Sequence, residues 1–392
     1  MNYCFYLEPY TYFKLIDDRC FFYNTLSGER VIKKLSILEQ KIIKKVSYKS
    51  GYSVRLTNNE YNSIVKSDLF NQLRRNYMAE ILHYKSKMPF IVPLERNFKI
   101  NKFRLNSHSW LTDIYLMPFV DGKTDRKFDS FFYDYSNQIN PKWKDCVLAF
   151  VKNTDLSYKR IYVPYYVYPE LEDCIEKYNP NAIVVLYLNY TKIPAIDKVV
   201  RNNKKDIQYK IYIDDVVNIS DSIADYLKVL SNKHYTFDIQ VSSMDRLNSV
   251  LNIISTYTIQ HYLLRPKLTD INDDFFVNQV FLHEEDIFSG TVSFNTILRN
   301  KNINSQSFGK IYIDGENNVY TNLALDPICT FTGYNFKSIL AKITSKKSSW
   351  FKIRDWGRCK NCFFQFLCPS PSEFELYTQK SDLCDINNYY II

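Results

Sequence analysis

The sequence predicts an α/β protein whose central part forms a partial (β/α)6 barrel or an open parallel sheet. Between about residues 110 and 290, short apolar runs typical of strands alternate with helical sequence about six times. Strands that alternate with helices pair in parallel through right-handed crossovers. A small strand-rich region precedes this part of the chain, and a loop-rich region containing four cysteines follows it.

Length and composition set the outer limits of this prediction. A chain of 392 residues is expected to form two or three domains, and its 46% of apolar residues can build large cores. The net charge of +9 permits an acidic peptide or a nucleic acid as partner and identifies neither. Residues Met1–Tyr12 lack the features of a secretory signal. No apolar run reaches the roughly 18–20 residues of a membrane span. We therefore expect a cytoplasmic protein without a membrane partner, in a reducing setting where clustered cysteines are more often metal ligands than disulfides.

Residues 1–84 predict a winged-helix-like module of three strands and two helical stretches. Capping-box patterns at Ser36–Glu39 and Thr57–Glu60 mark the two helix starts, and the second helical stretch is expected to continue toward Leu82. The predicted extended segments are Tyr10–Leu15, Cys20–Asn24 and Glu29–Lys34, with a return to extended chain at Tyr52–Leu56.

This module is basic, with 13 Lys and Arg against 8 Asp and Glu through Glu80. One interpretation is a solvated helix face. The other is an edge strand near Glu29–Lys34 that binds an acidic peptide by strand addition. DNA binding would need base-reading side chains that the sequence does not identify. The candidate peptide-binding residues are Lys33, Lys34, Lys41, Lys44 and Lys45.

The central region offers little chemistry at the carboxyl ends of its predicted strands, where sites form in such folds. Asp214-Asp215 is interpreted as a solvated loop pair and Ser242-Ser243 as a helix cap. No P-loop or dinucleotide-binding glycine pattern occurs. The predicted strands are Ile114–Phe119, Arg160–Val167, Ala182–Tyr190, Ile207–Ile213, Tyr235–Val241 and Gln260–Leu264, and the helices include Pro169–Tyr178, Asp221–Leu230, Met244–Ile254 and Asp273–Ile287.

The C-terminal region begins with a hairpin signal around Asp314-Gly315 and ends in a four-cysteine pattern, C-x2-C-x5-C-x15-C. Four thiolates at such spacing can hold zinc or an iron–sulfur cluster, and the spacing alone leaves the two nearly even. Free buried thiols or disulfides are the structural alternatives. The candidate ligands are Cys359, Cys362, Cys368 and Cys384, while Cys329 has no assigned role.

Three stretches carry a family resemblance: CFFYNTLSG at Cys20–Gly28, IYIDGENNVY at Ile311–Tyr320, and CPSPSEFEL at Cys368–Leu376. With the terminal cysteines, they make the chain similar to radical-SAM peptide maturases that carry a SPASM extension. The chain more closely resembles the pseudo-radical-SAM companions of these enzymes in bacterial systems that modify ribosomally made peptides. The resemblance implies a peptide-recognition module at 1–84, a degenerate radical-SAM-like partial barrel at 85–300, and a SPASM-like (twitch-like) domain with a Cys4 metal site at 301–392.

The departures from the family pattern concern its reactive elements. The cysteine-free stretch Val120–Asn137 stands where the family's C-x3-C-x2-C motif would hold the SAM-cleaving cluster, and Pro164-Tyr165-Tyr166 replaces its Gly-Gly-Glu segment. Polar residues at Asn304-Ser305, Tyr320–Asn322 and Ser372 occupy positions of the inner auxiliary cluster. The resemblance therefore implies no SAM cleavage and one retained 4Fe–4S cluster on the four terminal cysteines, with zinc as the alternative.

These expectations combine into a functional hypothesis. The chain would be a non-catalytic partner that binds a precursor peptide, an active radical-SAM maturase, or both. The alternatives are an enzyme of another chemistry on the same frame and a zinc-stabilised nucleic-acid-binding protein, with nucleic acid the less favoured partner.

Overall fold

In a computed structural model, the described residues of the chain form three β-sheets. The described residues are 2–48, 52–85, 110–118, 131, 140–196, 207–215, 217–219, 222–269, 272–331, 336–344, 348–381 and 383–386. Two sheets of three strands are formed by the N-terminal residues, and a mostly parallel sheet of nine strands forms the centre of a mixed α/β protein. The stretch Val120–Asn137 lies outside the described residues apart from Phe131.

The described part of the N-terminal region contains six strands and three helices. One sheet has the order β5-β1-β6 and the other the order β2-β3-β4, both antiparallel. The elements are β1 Asn2–Leu7, β2 Thr11–Ile16, β3 Arg19–Asn24, β4 Arg30–Lys34, α1 Ile37–Tyr48, β5 Ser53–Leu56, α2 Asn58–Ile64, α3 Asp68–Arg75 and β6 Ala79–Tyr84.

The helical continuation expected toward Leu82 is wrong, and strand β1 was not predicted. Strand β6 occupies Ala79–Tyr84 because it pairs antiparallel with β1, more than seventy residues earlier in the chain. Local periodicity carries no information about so distant a partner. The two capping boxes are confirmed: Glu60 accepts from the Thr57 backbone at 2.9 Å, and Glu39 accepts from the Ser36 backbone at 2.8 Å.

The central sheet alternates with helices along the chain as the sequence predicts. Its strands are β7 Asp113–Leu116, β8 Arg160–Pro164, β9 Ile183–Asn189, β10 Ile207–Ile213, β11 His234–Val241, β12 Tyr262–Pro266, β13 Lys310–Ile313, β14 Asn318–Tyr320 and β15 Cys329–Thr330. The helices are α4 Pro141–Asn153, α5 Tyr168–Tyr178, α6 Ile223–Leu230, α7 Met244–Thr256, α8 Asp273–Gln279, α9 Glu284–Ile287, α10 Phe294–Asn302, α11 Phe336–Ile343 and α12 Glu373–Thr378.

Strands β7 to β12 lie side by side in chain order and run parallel. Strand β13 continues the sheet parallel to β7, and β14 and β15 complete an antiparallel hairpin extension. Because β12 and β15 are the two edges, the described part of the sheet is open and forms no closed barrel.

A single helix over Asp273–Ile287 was expected, but the structure has two short helices, α8 and α9. Between them Leu282 forms an isolated parallel bridge with Cys384, and its N–H donates to the carbonyl of Leu383 at 3.0 Å. This contact holds the intervening chain in an extended conformation. It also brings the fourth cysteine of the terminal pattern against the segment that precedes α9.

Two apolar layers cover the central sheet. On one face, Ile114, Ile161 and Leu186 pack against helices that include α4 and α5. On the other face, the alternate strand residues are mainly tyrosines, which α8 and α12 cover through Phe276 and Phe374. Among the described residues, no helix combines the length and the apolar character needed to cross a bilayer.

Candidate metal centre

The four cysteines of the terminal pattern lie in one small region. Cys359 belongs to a short 3-10 helix, Gly357–Asn361, and Cys362 follows it directly. Cys368 ends the next turn, where its N–H donates to the carbonyl of Phe364 at 3.0 Å. Cys384 pairs with Leu282 in a β-bridge and packs against the cluster that contains Cys362 and Cys368. The four cysteines are therefore near neighbours, and their role as ligands stays a prediction.

Burial makes these thiols hard to ionise on their own. Burial, with the proximity of Cys359 and Cys384, raises the pKa of Cys362 to about 11. Burial and the same neighbouring thiols also raise the pKa of Cys368, and burial raises that of Cys384. A bound cation would offset both the burial cost and the repulsion between thiolates, whereas without a cation the buried thiols would stay protonated.

The guanidinium group of Arg354 contacts the cysteine region directly. Its Nη1 lies 3.5 Å from Cys359 Sγ, and the same guanidinium forms a bidentate pair with Glu375 at 2.6 and 3.0 Å. Its Nε donates to the carbonyl of Pro369, next to Cys368, at 2.6 Å. Because the carboxylate fixes the planar guanidinium, a positive charge and an N–H donor are held beside the sulfur atoms.

Lys14 supports the same loop from the N-terminal region. Its ammonium donates to the carbonyls of Lys360 and Cys362 at 2.9 and 2.8 Å and to Gln365 Oε1 at 2.5 Å. Lys14 lies on β2, so one side chain ties the second strand of the protein to the C-x2-C turn. It also places a second cation near the thiols.

Gly357 allows the loop to approach the chain at Ser381. Its φ of +53° lies in the left-handed region, and a Cβ there would be 2.1 Å from Ser381 Oγ. In turn, Ser381 Oγ accepts from the Arg358 N–H at 3.0 Å, and its carbonyl accepts from the Cys359 thiol at 2.6 Å. The turn before Cys359 is therefore shaped by one glycine and one serine.

None of the nine cysteines, all within the described part of the chain, forms a disulfide. Nor do any three His, Cys, Asp or Glu side chains among the described residues stand in metal-binding geometry. In particular, the Cys359 thiol is directed to the Ser381 carbonyl. Ligation would remove the thiol proton, and with it this hydrogen bond, so the sulfur would be free to turn toward its three neighbours. The four-thiol donor set and the adjacent cations fit zinc or an iron–sulfur cluster.

The polar residues predicted at the inner-cluster positions form a buried hydrogen-bond network. Asn322 Nδ2 donates to Ser307 Oγ at 3.0 Å, and Ser349 Oγ donates to Thr321 Oγ1 at 2.8 Å. Asn304 Nδ2 donates to the carbonyl of Pro371 at 3.2 Å. Ser372 caps helix α12 through the N–H of Glu375. Hydroxyl and amide groups thus satisfy one another at these positions, with no cysteine among them.

Stacked aromatic rings form a layer on the face of the central sheet that α8 and α12 cover. The ring of Tyr115 lies 4.0 Å from that of Tyr162 and 4.6 Å from that of Tyr312, nearly parallel to both. Phe131 stacks on Tyr212 at 5.3 Å and packs edge-on against Tyr187 at the same distance. All six side chains are buried.

A buried ion network crosses the same face beside these rings. Asp238 accepts two hydrogen bonds from Arg265, both at 3.0 Å. It also forms an ion pair with Lys210 at 3.0 Å. Burial disfavours the ionised carboxyl group, but these two cations outweigh it and lower the pKa of Asp238 to about 2. Arg265 also contacts Glu373 on α12 at 3.3 Å, which fixes the C-terminal region to the sheet.

The candidate peptide-binding lysines lie on β4 and α1, and four of them are paired with carboxylates. Lys33 pairs with Asp68, and Lys34 with Asp18 at 3.3 Å. Lys41 and Lys45 both pair with Glu60, at 3.6 and 3.2 Å. The fifth lysine, Lys44, lies on the same helix, α1. The positive charges of these four lysines are therefore partly balanced by nearby carboxylates.

The strand edge proposed near Glu29–Lys34 corresponds to β4, which pairs only with β3 within the described residues. At the two ends of this pairing, Asn24 donates to Glu29 and Leu35 donates to Asp18. The antiparallel alternation between these bonds directs the backbone groups of Arg30, Ile32 and Lys34 away from β3.

At the strand ends, Asp214 pairs with Lys267 at 3.2 Å and Asp215 accepts from the Ser242 N–H at 3.0 Å, so these carboxylates are not merely solvated. Ser243 caps α7, as expected.

Comparison of the chain with protein-family models, with curated proteins and with solved structures finds no match.

Sequence reasoning missed Arg354, Lys14 and the aromatic layer. Arg354 lies five residues before Cys359, which was a usable signal for a residue that supports the cysteines. The aromatic layer was visible as tyrosines at alternate positions of several predicted strands. Nothing local in the sequence pointed to Lys14, because its partners lie about 350 residues further along the chain.

Proposed function

We propose that this protein is a non-catalytic partner in the maturation of a ribosomally made peptide, acting in the cytoplasm. It would bind the precursor peptide, the active radical-SAM maturase, or both, and keep one metal centre on Cys359, Cys362, Cys368 and Cys384. A 4Fe–4S cluster is favoured over zinc on the resemblance of the sequence. Such a centre would supply folding energy to the C-terminal region or a path for electrons.

The observation that carries this proposal is the close-packed aromatic layer on one face of the central sheet. Radical chemistry on this frame would need space for a cofactor and a substrate where this layer lies. Tyr115, Tyr162, Tyr187, Tyr212 and Tyr312 occupy the layer instead, close-packed and buried. With no cluster motif in the sequence before Cys146, this packing supports a binding role over catalysis.

Strand β4 is the surface that best fits an extended peptide. The outward backbone groups of Arg30, Ile32 and Lys34 would give register-fixed hydrogen bonds. Both ends of the strand are anchored, by the Lys33–Asp68 pair and by the Arg30–Glu284 pair at 2.7 Å. A rigid edge loses less conformational entropy when a peptide binds.

The substitution Ile32→Pro tests this edge. It removes one outward N–H without removing a β3–β4 hydrogen bond, whereas the control Ile32→Ala shortens the side chain and keeps the N–H. We expect Ile32→Pro to weaken capture of the precursor encoded beside this protein at least several-fold, and Ile32→Ala to weaken it much less. Equal capture by both variants, with unchanged melting, would place the peptide elsewhere.

The metal centre is tested separately, by anaerobic purification followed by iron, sulfide and zinc analysis. We expect iron and sulfide in a 1:1 ratio in the parent protein and in Cys329→Ser, and loss of both in Cys362→Ser. One zinc with no sulfide would exclude the cluster, and retention of metal by Cys362→Ser would exclude the ligand assignment. Formation of 5′-deoxyadenosine from SAM with dithionite would overturn the non-catalytic role.

A further inference from the structure

A cavity of about 300 Å³ opens at the amino-terminal ends of strands β8 to β12. It lies at the opposite ends of these strands from the carboxyl ends where α/β folds usually place their sites. It is also remote in sequence from the four terminal cysteines. The residues lining it are Arg160, Tyr162, Val185, Gln208, Tyr209, Lys210, His234, Tyr235, Thr236, His261 and Leu263.

The wall of this cavity is rich in hydrogen-bond donors. Two cationic side chains, two imidazoles, one amide, one threonine hydroxyl and three tyrosine hydroxyls belong to it, while no Asp or Glu is among the described residues that line it. The carboxylates that balance the two cations, Asp113 and Asp238, are themselves buried and are not part of the lining. An anion in the cavity would therefore meet donors without meeting a carboxylate.

Those carboxylates fix the two cations in place. Arg160 makes a bidentate contact with Asp113 at 2.7 and 3.1 Å. The Lys210 ammonium lies 3.0 Å from Asp238 Oδ2 and 5.1 Å from the ring centre of Tyr212. The side chains are thus oriented before any ligand arrives, which lowers the entropic cost of binding.

Apolar groups complete the wall. Tyr162 and Val185 belong to the buried layer of the sheet face, while Leu263 on the edge strand β12 is 51% exposed. The cavity therefore has a packed inner surface and an apolar rim at the sheet edge. Its volume is near the lower end of the range for ligand pockets, roughly 300–1,000 Å³, and so suits a small molecule.

We propose that this cavity binds a small organic anion, a carboxylate or phosphate group attached to an apolar or planar body. The anionic group would accept hydrogen bonds from Lys210 and Arg160. The body would pack against Tyr162, Val185 and Leu263. This site is independent of the metal centre and of the β4 edge, so it stands or falls separately from the proposed function.

Three probes of the full-length protein test the proposal by calorimetry at constant ionic strength: benzoate, inorganic phosphate, and benzylamine as a cation of similar size to benzoate. We expect saturable binding of at least one anion and none of benzylamine. Benzoate alone would assign a carboxylate with a planar body, and phosphate alone would assign a phosphate ligand. Binding of neither anion, or equal binding of benzylamine, would overturn the proposal.

Two variants locate the binding. Lys210→Met removes one cation, and it is expected to fold because Asp238 keeps both hydrogen bonds from Arg265. It should weaken anion binding about tenfold, the loss typical of one charge-assisted hydrogen bond. Leu263→Trp should obstruct the cavity from its exposed rim, and Lys233→Met, outside the lining, serves as control. Parental affinity in both cavity variants would show that the anion binds elsewhere.

Discussion

At the scale of single residues, the candidate metal centre depends on residues that are not candidate ligands but position the backbone of the four cysteines. Arg354 and Lys14 hold the backbone on either side of the cysteines through three carbonyls, and Gly357 lets the chain pass close to Ser381. Spacing identifies candidate ligands, because a C-x2-C turn is local. It does not identify the groups that orient them, because those come from distant strands and helices.

The substitution Gly357→Ala should therefore destabilise the C-terminal region by about 1–3 kcal/mol, since it forces a left-handed conformation on alanine and drives its Cβ into Ser381. Gly290→Ala is the matched control, because nothing lies within 4 Å of the Cβ it would add. Chemical denaturation of both variants measures the effect.

The double variant with Ser381→Gly separates the two causes. Measured against Ser381→Gly alone, which also lacks the acceptor for the Arg358 N–H, the double variant has no close contact and keeps the left-handed backbone at position 357. We expect partial recovery of the free energy of unfolding. If Gly357→Ala unfolds at the same denaturant concentration as Gly290→Ala, the close approach at Ser381 is not a determinant of stability.

At the scale of elements, strands whose burial is regular could be predicted and strands defined by distant partners could not. The strand over Ile207–Ile213 matches the prediction residue for residue because it is apolar along most of its length. Strands β1 and β6 were missed because each depends on the other for its pairing. The helix expected over Asp273–Ile287 is interrupted because Leu282 bridges to Cys384. A contact between two residues more than a hundred positions apart thus overrides local helical periodicity.

The ion network across β10, β11 and β12 predicts acid sensitivity. The pKa of Asp238, about 2 in the folded protein, is below the roughly 3.9 of an unfolded aspartate. The lowered pKa contributes stability that is present above about pH 4 and is lost as the pH falls toward 2, by roughly 2 kcal/mol. Urea unfolding of the parent protein between pH 5 and pH 2.5 should show this loss.

Comparison of two variants isolates the group responsible. Asp238→Asn should be destabilised at neutral pH, because it leaves Arg265 and Lys210 less compensated, but should lose less stability on acidification than the parent protein. Asp225→Asn, on the exposed pair with Lys228, should keep the parental pH dependence. A parental acid response in Asp238→Asn would assign the titration to another carboxylate.

At the scale of the whole molecule, the N-terminal sheet β2-β3-β4 packs on both of its faces. The sheet β2-β3-β4 packs one face against its own helices through Phe22 and Val31. Its other face packs against the cysteine region, where the ring of Phe21 lies 5.3 Å from that of Phe364 and 6.2 Å from that of Phe363. A peptide-binding edge at β4 and a metal centre at the cysteines would therefore share one core.

Removal of residues 1–84 should consequently damage the cysteine region rather than leave it intact. The truncation exposes Phe363 and Phe364 and removes two Lys14 hydrogen bonds to the C-x2-C turn and one to Gln365. We expect lower solubility and faster loss of metal to a chelator than in the full chain.

Lys14→Met tests the same coupling without truncation. It should accelerate metal loss severalfold, because two backbone carbonyls lose a charged donor, while Lys34→Met, whose side chain is 78% exposed in the same sheet, should not. By linkage, a metal centre that stabilises this shared core should also strengthen peptide capture at β4. Equal rates of metal loss to a chelator in Lys14→Met and Lys34→Met would show that the two regions are not coupled. The N-terminal sheet would then act on the peptide independently of the cysteines.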